Sequence, residues 1–305
     1  MLRVTVDLFS GRPNPTWIIT DEDYAHKLLS QLSELANYIR DPDEAFPGLG
    51  FRGIQLQSLG DDEQGRRLPG RFAIATGRSE EPPEIINIAG DILGSMARFS
   101  KVRFPDHELT PLDTKLQDYI LKRFEEFRAV HVRDWVIGIL RPCPLRKTVH
   151  DPDCRECEYE ESRFNPGFWN TDPQVRLNNN CYNYARNWRT DTFAQPGRAS
   201  GNWPNPMACG DVAGGATSDG LVQRCNCLPQ SEYPRRLVAL VVDPGWDYHW
   251  YRKQCGGFWG HKPGSTPARN TDNSSVLITD PETCDRGGYT DFCGYFYAGK
   301  SVVIT

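Results

Sequence analysis

The stretch Asn178-Asn179-Asn180-Cys181-Tyr182-Asn183-Tyr184-Ala185-Arg186-Asn187-Trp188 decides the reading of the C-terminal half. It runs from a polar turn into a short helical segment. Asn180 suits an N-cap, because its side-chain oxygen accepts an orphan N–H of the first turn. Cys181 then opens the helix, where the dipole favours a thiolate. Downstream come Tyr248-His249-Trp250-Tyr251 and Trp259-Gly260-His261-Lys262. A cysteine at a helix start, followed by histidines on two adjacent strands, is an arrangement for nucleophilic catalysis.

The hairpin between the histidines tests this on paper. A three-residue loop, Cys255-Gly256-Gly257, pairs Gln254 with Phe258 and therefore His261 with Tyr251. His249 then lies diagonally on the same face, roughly 7 Å away. A two-residue Gly256-Gly257 turn puts the histidines on opposite faces.

The order of cysteine and histidines resembles the papain-like superfamily, and within it the NlpC/P60 and CHAP type of cysteine peptidases and amidases. The resemblance covers 178–305. It implies Cys181 as nucleophile, His249 as general base and His261 as the residue orienting it, with Asn270 or Asp272 as alternatives for that last role. It also implies an oxyanion hole using the Cys181 N–H. Asn179, Asn180, Trp250 and Trp259 are the candidate substrate-binding or oxyanion residues. The segment Asn-Cys-Tyr-Asn-Tyr-Ala departs from the Asp-Cys-Ser-Gly pattern of those peptidases. It is similar to the Asn-Cys-x-x-Phe style of the lecithin–retinol acyltransferase-like branch, which places its histidine before its cysteine. Membership is thus at clan level. The expected chemistry is thiolate attack on a peptide or amide carbonyl, with a thioester released by water or an amine.

Working outward, 305 residues suffice for about two domains of ~150 residues. Hydrophobic content of 38% and charged content of 25% support packed cores. A net charge of -5 gives no reason to expect nucleic acid as a partner, and no apolar run reaches the ~18 residues of a membrane span. The expected fold class is α+β. A domain over 1–140 precedes a cysteine-containing linker or subdomain over 141–175 and a papain-like domain, helix then antiparallel sheet, over 176–305. In the first domain, Val4, Val6 and Leu8 alternate as a strand, and Gly11-Arg12-Pro13-Asn14-Pro15 reads as a plain turn. Thr20 is expected to cap a helix with the stripe Tyr24, Leu28, Leu32, Leu35. Strands are expected over 51–59 and 71–76, and a helix over 113–128. The Gly- and Pro-rich stretch 189–234 reads as a loop covering the cleft. Strands follow over 237–242, 248–254, 258–262, 275–279, 292–297 and 301–304.

All ten cysteines lie at or beyond Cys143. Cys143, His150, Cys154 and Cys157 have the residue types and partial spacing of a structural zinc site, with disulfides and unlinked thiols as alternatives. Cys225 and Cys227 are too close to pair with each other. Met1-Leu2-Arg3-Val4-Thr5-Val6-Asp7 has no apolar signal-peptide core, which places the protein in the cytoplasm, whereas the cysteine count argues for secretion. Two other functions stand beside the hydrolase: an acyl- or peptidyl-transferase using the same site, and a non-catalytic cysteine-rich binding or matrix protein.

Overall fold

A computed structural model of the chain describes residues 1–42, 48–59, 68–77, 81–100, 109–129, 146–204 and 206–305. The chain divides into two compact units, Met1–Leu8 with Asn14–Asp134, and Phe9–Pro13 with Trp135–Thr305. Each is a mixture of helices and sheet, antiparallel throughout in the first unit and with one parallel pairing in the second.

The first unit carries strands β1 (Leu2–Asp7), β2 (Thr16–Ile19), β3 (Gly53–Ser58) and β4 (Arg71–Ile74), and helices α1 (Glu22–Glu34), α2 (Pro83–Gly94), α3 (Met96–Phe99) and α4 (Thr114–Ala129). The four strands form one antiparallel sheet in the order β2-β1-β3-β4. Asp21, not Thr20, caps α1: its carboxylate accepts the Tyr24 N–H at 2.9 Å. The sequence reading passed over α2, although Ile85, Ile88, Ala89, Ile92 and Leu93 fall at helical spacing and are all buried. Arg52, wholly buried, pairs with buried Asp7 at 2.6 Å.

The second unit begins with β5 (Arg146–Asp151) and β6 (Cys154–Ser162). These residues, assigned from the sequence to a linker or stapled subdomain, are strands of the unit's sheet. Short helices α5 (Gly167–Asn170), α6 (Pro173–Asn178) and α7 (Cys181–Arg186) follow, then α8 (Cys209–Ser218) within the stretch expected to be loop. The remaining strands are β7 (Val222–Gln223), β8 (Arg236–Asp243), β9 (Asp247–Gln254), β10 (Phe258–His261) and β11 (Asp291–Ala298). Residues 275–279 and 301–304 do not form strands; only the isolated bridge Thr271–Leu277 remains of the first. The β9–β10 hairpin has the three-residue loop and the register that pairs His261 with Tyr251.

The sheet order is β5-β6-β9-β8-β11-β7, with β10 on β9. β6 and β7 stand far apart in that order, yet Cys154–Cys225 and Cys157–Cys227 join β6 to the residues that follow β7, with Cα atoms 5.2 and 4.9 Å apart. The sheet therefore curls until its two ends meet, and the disulfides form the seam. Arg224 and Tyr297 both bond Asp151 there. Cys209–Cys293 ties α8 to β11, and Cys255 is also disulfide-bonded. The zinc expectation is corrected accordingly. The Cys154 and Cys157 thiols are oxidised and cannot serve as thiolate ligands, His150 faces Glu158 at 3.5 Å, and Cys143 lies outside the described residues. Among the described residues, no group of three or more His, Cys, Asp or Glu side chains is placed to hold a metal. No helix of the described residues is long and apolar enough to cross a membrane.

If the seam constrains the unfolded chain, removing one link lowers stability without opening the sheet. Cys157→Ala with Cys227→Ala is expected to reduce the unfolding free energy by about 2–5 kcal/mol. Urea denaturation with far-UV circular dichroism measures this. An unchanged midpoint would show that hydrogen bonds alone close the sheet.

Candidate functional site: a buried histidine pair and a seated turn

Three successive asparagines set up α7. Asn179 fixes the approach: its amide donates to Val175 O and Asp191 Oδ1, both at 2.7 Å, and its oxygen accepts from Thr190 N and Asp191 N. Asn180 is the N-cap, accepting from Tyr182 N and Asn183 N, and Asn183 returns the bond to Asn180 N in a capping box. Asn187 closes the helix in the left-handed region at φ 58°. All six residues of α7 are buried.

Cys181 does open this helix. It lies in a core cluster with Tyr182, Val238, Leu240, Val242, Tyr248 and Trp250. Its Sγ lies 4.0 Å from Tyr248 O, a weak contact at the limit for sulfur. Burial, and then the Asp247 carboxylate, push the thiol well above its ordinary range. The helix dipole was expected to favour the thiolate; complete desolvation outweighs it.

His249 is elsewhere. Side chains alternate along β9, so Tyr248 and Trp250 face the α7 cluster and His249 and Tyr251 face the other way. His249 Nε2 lies 2.8 Å from His261 Nδ1. Its Nδ1 lies 3.0 Å from Ser10 Oγ. The structure thus brings His249 and His261 together, as the register required, and sets Cys181 apart from them across the strand. Trp250 takes the helix-facing side of β9, and a period of two sends its neighbour His249 to the opposite one.

His261 Nε2 meets both Arg269 Nε at 3.0 Å and Thr271 O at 2.9 Å. One can only donate and the other only accept, so each histidine tautomer satisfies one of them. Burial, then the charge of Arg269 and the neighbouring His249, hold His261 well below its usual value. Of the alternative orienting residues, Asp272 uses its carboxylate within its own loop. Asp272 accepts from Ser274, Val276 and Asp285 N–H groups, and Asn270 O accepts from Ile278 N. Trp250 is core, 5.6 Å from the Tyr182 ring, and the Trp259 ring lies tilted 5.5 Å from that of Tyr295.

The residues missed from the sequence hold the Phe9–Pro13 turn. The Asp247 carboxylate accepts from Ser10 N at 2.6 Å, Gly11 N at 3.2 Å and Arg12 N at 3.1 Å, and also from Tyr289 Oη. Gly11 O accepts from Asn180 Nδ2 at 3.0 Å, Gln195 Nε2 at 2.6 Å and Tyr248 Oη at 2.9 Å. A Cβ on Gly11 would lie 2.6 Å from the Tyr248 ring. Burial pushes the Asp247 carboxyl up, and the hydrogen bonds from Tyr289 and the turn oppose that. Nothing local in the sequence marks Ser10, 239 positions from its histidine.

No protein-family model matches the chain, and no solved structure matches it. One curated relative is insoluble matrix shell protein 1 of Ruditapes philippinarum, 49% identical over 138 residues, which are 45% of this chain and 90% of that protein. With the three disulfides, this relative overturns the expectation of a cytoplasmic protein and points to a secreted, extracellular one. At that identity and coverage, the chain belongs to the family of insoluble matrix shell protein 1.

Proposed function

We propose that the chain is a structural component of an insoluble extracellular matrix of the shell kind, and that it works without catalysis. The observation that carries the non-catalytic part is the placement of Cys181: fully buried, its pKa pushed up, and on the opposite face of β9 from His249. The matrix setting is supported by the relative's name and by the disulfide seam. In this reading the histidine pair and the seated turn are structural parts of one buried polar network.

A second reading, a cysteine hydrolase or acyl-transferase acting on a peptide or amide through a thioester, is favoured by one observation. The 2.8 Å link between His249 and His261 is what a base and its orienting residue require. It needs Cys181 to reach His249 in a different arrangement of α7 and β9.

Native labelling with a small thiol electrophile at neutral pH separates the two. Cys181 is expected to stay unmodified until the protein unfolds, and Cys181→Ala to cost about 1–2 kcal/mol through lost packing. Stoichiometric modification of native Cys181, with turnover of an amide substrate lost in Cys181→Ala, would establish the second reading instead.

The structural role of His261 also fixes a pH dependence. Its pKa is lowered in the folded state, so below the unfolded value of about 6.5 the unfolded chain binds more protons. Stability is therefore complete above that value and falls as the pH drops beneath it. Melting temperatures between pH 7.5 and 5 should decline in the wild type, and more shallowly in His261→Asn, whose side chain does not titrate. Equal slopes would remove His261 as the cause.

A further inference from the structure

Where β8 begins and β9 ends, three arginines are buried together. Arg236 shares the α7-facing side of β8 with Val238, Leu240 and Val242, and Arg252 shares that of β9 with Trp250. Val238 pairs with Arg252, so Arg236 is a diagonal neighbour of Arg252 on that face. Arg252 Nη1 donates to Tyr184 O and Asn187 Oδ1, which brings it to the end of α7 that carries Arg186. Arg186 donates to Val302 O at 3.0 Å and Lys300 O at 2.7 Å. Arg186, Arg236 and Arg252 are 8%, 5% and 3% exposed, and every one of these acceptors is neutral.

Arg236 is the least satisfied of the three. Its Nη1 donates to Pro234 O at 3.2 Å. Its Nε and Nη2 have no hydrogen-bond partner among the described residues, and neither is wholly enclosed. That edge is the one that grips two oxygens of a single anion, as Arg224 grips Asp151 from Nε and Nη2. The nearby carboxylates are engaged elsewhere. Glu160 accepts from Arg235 Nη2 at 2.8 Å, and Glu232 accepts from Ser301 N and Oγ, both at 2.8 Å. Burial, and then the charges of Arg252, Arg186 and Arg146, push the Arg236 guanidinium down to about 9, and Glu160 opposes them.

We infer that Arg236 is the centre of an anion site, where a phosphate or sulfate dianion takes its Nε–Nη2 edge in the field of Arg146, Arg186 and Arg252. The guanidinium fork fits paired oxygens of either ion. Four arginines outnumber the two engaged carboxylates, so a dianion is matched better than a singly charged carboxylate. Arg186 lies 5.4 Å from the Trp188 ring centroid and Arg146 5.8 Å from that of Tyr233. Both rings are more than 40% exposed and offer apolar faces to a sugar carrying the anion. The site uses neither Cys181 nor the histidine pair, and it does not depend on the matrix reading.

Calorimetric titration of the full-length chain with inorganic phosphate, at constant ionic strength, is expected to show one saturable site. Arg236→Met keeps the bulk of the side chain and removes the fork, and should weaken phosphate binding about tenfold or more. Arg146→Gln, at an exposed position, should weaken it more mildly. Sulfate should displace phosphate, and acetate at equal concentration should not. Absence of a saturable site, or equal affinity in wild type and Arg236→Met, would overturn the proposal. If Arg236→Met fails to fold, unchanged affinity in Arg146→Gln overturns it instead. Displacement by acetate as readily as by sulfate would overturn the dianion. Glucose 6-phosphate separates the two sources of the anion. Binding tighter than inorganic phosphate, with the advantage lost in Trp188→Ala, supports an anion borne on a sugar; equal binding supports the free ion.

Discussion

A strand offers each side chain one of two faces, and in β9 that choice governs the whole second unit. Tyr248 and Trp250 face α7 and α8 and close the cluster that buries Cys181. His249 and Tyr251 are thereby turned to the other face, where β10 supplies His261. No rotamer change moves a side chain across a pleated sheet; only a register slip does, and it would expose Trp250 and bury a histidine among aliphatic side chains. The catalytic arrangement and the packed core therefore compete for the same strand. In this structure Trp250 holds the α7-facing side, and burying an indole is worth more than a thiol–imidazole hydrogen bond.

Asp247 presents the converse problem, a carboxylate with no accessible surface. Its compensation comes from backbone amides of Ser10, Gly11 and Arg12 and from the Tyr289 hydroxyl. Hydrogen bonds to the charged form and desolvation pull its pKa in opposite directions, and burial is the larger effect. A group in that balance depends on every donor it has. This explains why the turn, remote in sequence, clusters with the second unit while its flanking strands belong to the first.

The sequence was most legible where a rule is local and discrete. The loop length between the histidines allowed only two registers, and the structure has the one that pairs His261 with Tyr251. The close spacing of Cys225 and Cys227 required separate partners, and they have Cys154 and Cys157. The capping role of Asn180 was equally local. What stayed illegible was relational. Which face of β9 meets α7 depends on how Trp250 packs, and no spacing between Cys181 and His249 encodes that. Ser10 and Asp247 meet only through folding. α8 was obscured by Gly210, Gly214 and Gly215, poor helix formers; Gly215 is needed where Pro196 backbone passes 3.1 Å from its would-be Cβ.

The seam bears on the matrix reading proposed above. An open sheet carries unpaired N–H and C=O groups along its edges and recruits further strands indiscriminately. Here the ends meet, and two disulfides together with the Arg224–Asp151 ion pair hold them. The disulfides satisfy no backbone N–H or C=O, but they survive conditions that break hydrogen bonds. The socket of the Ser10–Arg12 turn reads three backbone amides, one carbonyl and the absence of a side chain. Its buried carboxylate also makes an empty socket costly, because an unpaired Asp247 keeps its desolvation penalty without the amides that offset it. The seat is therefore held closed by the same imbalance that makes it specific.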